Sequence, residues 1–84
     1  MINIPIDVHA TFNTQGKVRP NYIRIEDEEH MLHTYKIESI EYDREEKYAG
    51  ITALLFCCNI LVNDHLQMIK IKYHTKTLQW VLVQ

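Results

Sequence analysis

The stretch "ITALLFCCNILVNDHLQMIKIKYH", residues 51–74, decides the fold class. Apolar and polar side chains largely alternate in its second half, and its first half is apolar and rich in residues that favour strands. A period of two indicates β-strands, because neighbouring side chains on a strand point to opposite faces. Asn63-Asp64 is typical of a tight turn. We therefore predict a hairpin of two strands, residues 51–62 and 65–74.

The same alternation begins at the start of the chain and predicts a first strand over residues 2–12. Pro5 cannot donate a ladder hydrogen bond, so the early part of this strand should be an edge or irregular. The sequence "NTQGK", residues 13–17, then predicts a hairpin loop, with Gly16 suited to a positive φ. The apolar face of this strand consists of Ile2, Ile4, Ile6, Val8, Ala10 and Phe12.

Two further strands are predicted between this loop and the central polar stretch. One runs from about Lys17 to Glu26, with a break or bulge at Pro20. The next runs from about Met31 to Tyr42. Its apolar residues change phase partway along, from Tyr35 and Ile37 to Ile40 and Tyr42, and a β-bulge near Glu38-Ser39 would account for that change.

The polar sequence "DREEKYAG", residues 43–50, is interpreted as a connection that could hold a helical turn. A last strand is predicted over residues 78–83, with Leu78, Trp80 and Leu82 on one face. Six strands joined by short hairpins in 84 residues predict a single all-β domain, residues 1–84. We expect a six-stranded antiparallel meander that closes into a small barrel or barrel-like roll, because closure hides the sheet edges.

Composition restricts the classes of function. The chain is 46% hydrophobic, which is ordinary for a globular protein and argues against disorder. Its net charge is −2, from nine basic and eleven acidic residues. Nucleic-acid binders usually carry a clear basic excess, so the charge disfavours that class without excluding it.

The sequence also bears on location. The N-terminus lacks a basic region followed by an apolar run, so we expect no secretory signal. The longest apolar run, residues 53–58, is far shorter than the roughly 20 residues that span a bilayer, and no membrane association is expected. Two cysteines without an export signal favour a reducing cytoplasm.

Three segments resemble a group of small uncharacterised bacterial β-barrel proteins: "IPIDVHATFNTQGKVRPNYIRIED", "HTYKIESI" and "FCCNILVNDHLQMIKIKYHTKTLQWVL". The shared features are an early Ile-Pro-x-x-Val, a Phe before a Gly-containing turn followed by a basic residue and Pro, a Tyr-Lys-Ile strand, a Phe-x-Cys strand and a late Trp. The resemblance covers nearly the whole chain. It implies a small barrel and no known activity; Cys58 matches the pattern, and Cys57 departs from it.

The adjacent cysteines raise the question of a metal site, a redox switch or a nucleophile. On a strand they point to opposite faces, so neither a disulfide between them nor one shared zinc ion suits a regular strand. Cys58 shares its face with Phe56 and Ile60 and is predicted to lie in the core. Cys57 is predicted to lie nearer solvent or in a second packing layer, and it is the candidate reactive thiol.

The five histidines do not form a recognisable catalytic or metal-binding pattern. Glu28, Glu29 and His30 could collect a weak divalent ion, but a solvated acidic turn is the simpler interpretation. No Ser-His-Asp or Cys-His-Asp arrangement stands out. We therefore predict no catalytic residue, no metal site, no cofactor and no enzymatic activity, and a small enzyme is the third alternative.

Two surfaces are candidates for binding. The first is an apolar outer face with a basic rim, of the kind that marks a protein partner or a dimer. The second is a basic surface with an aromatic side chain for base stacking, as in small nucleic-acid-binding barrels. The first set is Leu66, Met68, Lys70, Lys72, Val81 and Val83, and the second is Arg19, Tyr22, Arg24, Lys70 and Lys72.

The first surface defines the leading hypothesis, a non-enzymatic interaction module that binds a protein partner or itself. Leu66, Met68 and the two valines would form its apolar centre. The alternative hypothesis is a weak nucleic-acid-binding barrel that uses the second surface.

Overall fold

A computed structural model describes residues 3–83 and shows six strands. Ile2, which the sequence assigns to the first strand, lies outside the described residues. The strands are β1 (Asn3–Phe12), β2 (Val18–Glu26), β3 (Leu32–Tyr48), β4 (Ile51–Val62), β5 (His65–His74) and β6 (Gln79–Val83).

The strands pair in chain order, each antiparallel to the next, and β1 pairs with β6 to close a barrel. The prediction of an all-β, six-stranded antiparallel meander that closes is therefore confirmed. The closing ladder is short: it runs from Asn3 opposite Val83 to Ile6 opposite Trp80. Closure leaves most backbone groups paired and so limits the free strand edges that promote aggregation.

Two strands change partners along their length. In β1, residues 3–6 pair with β6 and residues 7–12 pair with β2. In β3, residues 32–36 pair with β2 and residues 37–48 pair with β4. These long strands therefore carry the chain around the tight corners of a small barrel.

Bulges accompany these corners. The ladder between β3 and β4 shifts between Ile37 and Ser39, which confirms the predicted bulge near Glu38-Ser39. The ladder between β1 and β2 shifts where Ala10 pairs with Pro20, as the predicted irregularity at that proline requires. An extra unpaired residue bends the strand locally and lets the sheet curve.

The polar stretch 43–50 was expected to be a connection, and that expectation is wrong. β3 continues to Tyr48 and pairs with β4 down to Ile51. Ala49 and Gly50, with φ of 51° and 80°, form the turn. Two consecutive positive φ angles suit a two-residue hairpin, because this turn has the same twist as the strands. Pairing with β4 thus places the charged residues 43–48 in the sheet.

A second bulge also alters the phase of β3. The ladder shifts again between Ile40 and Tyr42, so these two residues do not share a face as predicted. Ile40 packs against the core, whereas Tyr42 is exposed on the outside.

The sequence was also wrong about two apolar residues at strand ends. Phe12 is exposed, although it meets the ring of Tyr73 edge-on at 6.1 Å. Leu78 lies in the turn before β6, with a φ of 59° and an exposed side chain, so it is not part of the buried face. Both residues continue the apolar alternation, but each lies at or just outside the end of a strand, where its side chain stays exposed.

The barrel interior holds one hydrophobic core. Trp80 is its centre, with the ring of Tyr73 at 4.8 Å and that of Phe56 at 5.8 Å between centroids. Cys58 and Ile71 are fully buried beside them. The remaining buried members are Ile23, Ile37, Ile60 and Leu82.

Candidate functional site

The middle of the outer face of β4, residues 53–57, is apolar and buried, although it points away from the barrel interior. Ala53, Leu55 and Cys57 have the opposite phase to the core residues Phe56 and Cys58. Leu55 is only 2% exposed and Cys57 1%. This apolar stripe therefore forms a second packing layer on the outside of the sheet.

Charged side chains from the two neighbouring strands flank the stripe. Arg44 and Lys72 lie opposite Leu55, on β3 and β5 respectively. Glu46 joins them: its carboxylate accepts hydrogen bonds from Arg44 Nη2 at 3.1 Å and pairs with Lys72 Nζ at 2.9 Å. Long basic side chains can shield apolar surface with their methylene stems while their charged ends stay in water.

The electrostatics of this cover follow from its geometry. The hydrogen bond from Lys72 lowers the pKa of the Glu46 carboxyl below its usual range, with help from Arg44. The Arg44 guanidinium also lies 5.8 Å from the centroid of the Tyr42 ring, within cation–π range. The three charged groups and the tyrosine thus form one linked surface beside Leu55 and Cys57.

This layer answers the question about the adjacent cysteines. Both are free thiols and both are buried. Cys58 is in the core, as predicted, and burial followed by the adjacent Cys57 raises its pKa to about 11. Of the two environments considered for Cys57, the structure shows the second packing layer rather than the one nearer solvent. The reactivity of the Cys57 thiol stays a prediction, and its burial disfavours that prediction.

The candidate partner surface is contiguous in the structure. Lys70 pairs with Val83 and Lys72 with Val81 across β5 and β6. Leu66 and Met68 continue the outward phase of β5 and are 66% and 60% exposed. The two valines are only half-buried, so they extend the apolar area toward β6.

One residue of this surface was not included in the sequence-based set. Leu61 lies directly opposite Leu66 on the outer face of β4 and is 44% exposed. The predicted turn at Asn63-Asp64 implies this pairing, because residues equally distant from a two-residue turn face each other. The signal was therefore present in the sequence.

The candidate nucleic-acid surface is not assembled on one face. Arg19, Tyr22 and Arg24 lie on β2, while the lysines lie on β5, and these strands are not neighbours in the barrel. Arg24 forms an ion pair with Asp7, and Tyr22 lies against the ring of His9. The cations and the aromatic ring are thus divided between separate faces, and two of the cations are already paired with carboxylates.

In the acidic turn between β2 and β3, the polar side chains bond to other groups of the same turn. The Asp27 carboxylate accepts backbone hydrogen bonds from Glu29 and Met31 and contacts His33 Nε2 at 2.7 Å. The His33 contact is the main reason that the pKa of Asp27 is lowered. His30 takes a φ of 64° and contacts Glu26. Across residues 3–83, no three His, Cys, Asp or Glu side chains are grouped closely enough to hold a metal ion.

Two of the surface clefts are the widest. One, of about 410 Å³, lies between the end of the first hairpin and the second half of β3, and Leu54 and Phe56 line it beside Lys17, Asp43 and other charged residues. The other, of about 430 Å³, lies where β1 leaves β6.

No protein-family model, curated protein or solved structure matches this chain. Within the part of the chain that the structure describes, no helix is long and apolar enough to cross a membrane.

Proposed function

We propose that this protein is a non-enzymatic interaction module that binds a protein through the outer face of β5 and β6. The observation that carries the proposal is the joint exposure of the apolar side chains of Leu66 and Met68 on the outer face of β5. Long apolar side chains that are exposed together on a sheet are typical of a protein-binding surface.

The contrast along this face supports the proposal. At one end, charged side chains flank the apolar stripe at Leu55, and their ion pairs form the surface there. At the other end, Leu61, Leu66 and Met68 are exposed. An apolar centre beside a charged rim is the usual anatomy of a protein interface. The basic rim, Lys70 and Lys72, favours a partner that offers carboxylates there.

The proposal includes a reducing cytoplasm as the location. Both cysteines are free thiols in buried positions, and a protein of this size that folds around free thiols suits a reducing compartment. The nucleic-acid alternative receives less support, because its residues lie on two separate faces.

The experiment compares two methionine variants of the full chain. Met68→Asp places a charge in the proposed surface. Met31→Asp is the matched control, because Met31 is 59% exposed in the turn before β3, outside the proposed surface. We expect the first variant to lose self-association and co-purifying proteins, and the second to keep them. Trp80 fluorescence verifies that both variants are folded.

The result that would contradict the proposal is a folded Met68→Asp variant with unchanged oligomeric state and unchanged co-purifying proteins. A loss that occurs equally in both variants would also contradict it, because the effect would then not belong to this face.

A further inference from the structure

Within residues 3–83, the second half of β3 pairs with a strand on one side only. β2 pairs with β3 over residues 22–26, opposite residues 32–36, and no further. This ladder ends where β2 contains Pro20, which has no N–H, and where β3 bulges just after Ile37. Beyond the bulge, the side of β3 away from β4 is a strand edge inside the chain. Such an edge can pair with an added strand.

The hairpin of β3 and β4 shows which backbone groups of this edge are free. Its two-residue turn closes on a hydrogen-bonded pair, Tyr48 and Ile51. In an antiparallel ladder, alternate residues direct both their N–H and C=O to the same neighbouring strand. The register is continuous from Tyr48 back to Tyr42, so every second residue from Tyr48 bonds to β4. The residues between them direct their backbone groups to the uncovered side, and these are Asp43, Glu45 and Lys47.

This edge forms one wall of the cleft of about 410 Å³. The other wall is the end of the first hairpin, residues 16–18, and Leu54 and Phe56 contribute apolar surface. From the spacing of strands, the spacing of sheets and the rise per residue, one strand residue fills about 160 Å³. The cleft therefore has room for about two or three residues of an extended chain beside Asp43 and Glu45.

The carboxylates of this wall lie on the core-facing side of β3. Asp43 is directly opposite Phe56 and Glu45 is directly opposite Leu54, and residues opposite each other share a face of the sheet. Both carboxylates are nevertheless exposed, because they border the cleft. Among the described residues, Asp43 has no ion pair, and Glu45 has a single exposed one with Lys47 at 3.5 Å. The wall thus combines apolar surface with negative charge.

The cations that line the cleft leave this acidic character in place. Arg44 belongs to the other face of β3, where Glu46 binds its guanidinium. Lys17 is exposed on the opposite wall. Basic side chains on an added strand would therefore find their partners on β3, directly across the shared ladder.

From this edge we propose that the cleft binds an extended segment of another protein, which pairs antiparallel with β3 and directs basic side chains toward Asp43 and Glu45. The free N–H and C=O groups of these two residues give about four hydrogen bonds to the segment. The methylene stems of its basic side chains lie against Leu54 and Phe56, while their charged ends reach the carboxylates. The site is separate from the outer face of β5 and β6, so the inference goes beyond the proposed function and does not rest on it.

Amide hydrogen exchange of the full chain, followed by NMR, tests whether the edge is free. After correction for intrinsic rates, we expect the amides of Asp43 and Glu45 to exchange at least about tenfold faster than those of Arg44 and Glu46, which bond to β4. Equal protection of these four amides would overturn the inference, because the edge would then already be paired.

Two synthetic peptides with blocked termini test the chemistry of the partner. In the antiparallel register, Thr-Glu-Thr-Lys-Thr-Lys-Thr places a lysine opposite Asp43, another opposite Glu45 and its glutamate opposite Lys47. The control peptide, Thr-Lys-Thr-Glu-Thr-Glu-Thr, exchanges the charges. We expect an NMR titration with the first peptide to shift the amides of Asp43, Glu45 and Leu54. The control should bind at least about tenfold more weakly, because each opposite-charge pair is replaced by a like-charge pair. Equal binding of the two peptides, or shifts confined to β5 and β6, would overturn the inference.

Two variants of one residue test the backbone pairing. Glu45→Gln removes the charge alone, whereas Glu45→Pro also removes an N–H that faces the cleft and not β4. We expect the first variant to weaken binding of the lysine peptide and the second to abolish it, with Trp80 fluorescence verifying the fold. A folded Glu45→Pro variant that binds as well as Glu45→Gln would overturn the pairing. Met68→Asp should bind the peptide unchanged, which separates this test from that of the proposed function.

Discussion

Replacing Leu55 by alanine tests whether the outer layer on β4 contributes to stability as a true packing layer. Leu55 points away from the barrel interior, where a sequence-based argument would assign little cost to its loss. The structure leaves it only 2% exposed between the ladders to β3 and β5. We therefore expect Leu55→Ala to destabilise the protein as a core substitution does.

The magnitude follows from burial. Truncating a buried leucine to alanine costs roughly 2–5 kcal/mol, depending on how far the surroundings collapse into the space. Arg44 and Lys72 flank Leu55 with flexible side chains, which can move into part of that space. We therefore expect the lower part of the range, about 2–3 kcal/mol. For a chain of this length the total stability is roughly 4–13 kcal/mol, so this loss is large.

Leu32→Ala is the matched control. Leu32, the first residue of β3, has the same side chain, but it is 57% exposed and lies outside the proposed binding surface. Its truncation removes little buried surface, so we expect a cost within about 0.5 kcal/mol. The difference between the two variants isolates the burial of Leu55 from the general effect of removing a leucine.

Urea unfolding followed by the fluorescence of Trp80 measures both costs, since this is the only tryptophan in the chain. With an m value near 1 kcal/mol/M, Leu55→Ala should lower the midpoint by about 2–3 M, while Leu32→Ala should change it by about 0.5 M or less. If the two variants unfold at the same urea concentration, the second packing layer does not stabilise the protein and the reasoning is refuted.

Two further predictions concern titratable groups. Both cysteines should react with a thiol reagent at least about a hundredfold more slowly in the native protein than in urea, because both are buried and the raised pKa of Cys58 keeps its thiol protonated. Comparing the Cys57→Ala and Cys58→Ala variants shows which thiol has which rate. Rapid labelling of either thiol in the native protein would contradict the packing described for it. A carboxyl whose pKa is lowered in the folded state stabilises the protein above its unfolded pKa, and that contribution is lost as pH falls through the folded pKa. Glu46→Gln should therefore lower the free energy of unfolding at pH 7, and this difference from the unmodified protein should shrink toward zero as the pH falls below about 4, as measured by urea unfolding. Glu45→Gln is the control. A difference for Glu46→Gln that does not depend on pH would contradict the role of the Lys72 contact.

Much of the fold could be predicted because alternation of side chains is a local property. The hairpin of β4 and β5 was predicted with its bounds and its turn, since the turn residues and the strands on both sides agree. The bulge near Glu38-Ser39 was predicted from a change of phase within one strand. In each case the necessary information lies within a few residues of the feature.

The errors occurred where a distant strand decides the outcome. Residues 43–48 are polar and gave no strand signal, yet pairing with β4 places them in β3. Phe12 and Leu78 continue the apolar alternation, yet both are exposed, because within residues 3–83 no neighbouring element covers them. Local pattern therefore predicted the kind of element but not where the barrel ends.

The candidate site divides in the same way. The sequence alone determined that Leu66, Met68, Lys70 and Lys72 share one face of a strand, since a period of two requires it. Only the tertiary structure decided that Leu66 and Met68 are exposed on this face while Leu55 on the neighbouring strand is buried. It also decided that Cys57 is buried on the outer face of β4, where Tyr42 of β3 and Lys70 of β5 lie on either side of it. Periodicity assigns a side chain to a face, but burial depends on which strands come to lie beside it.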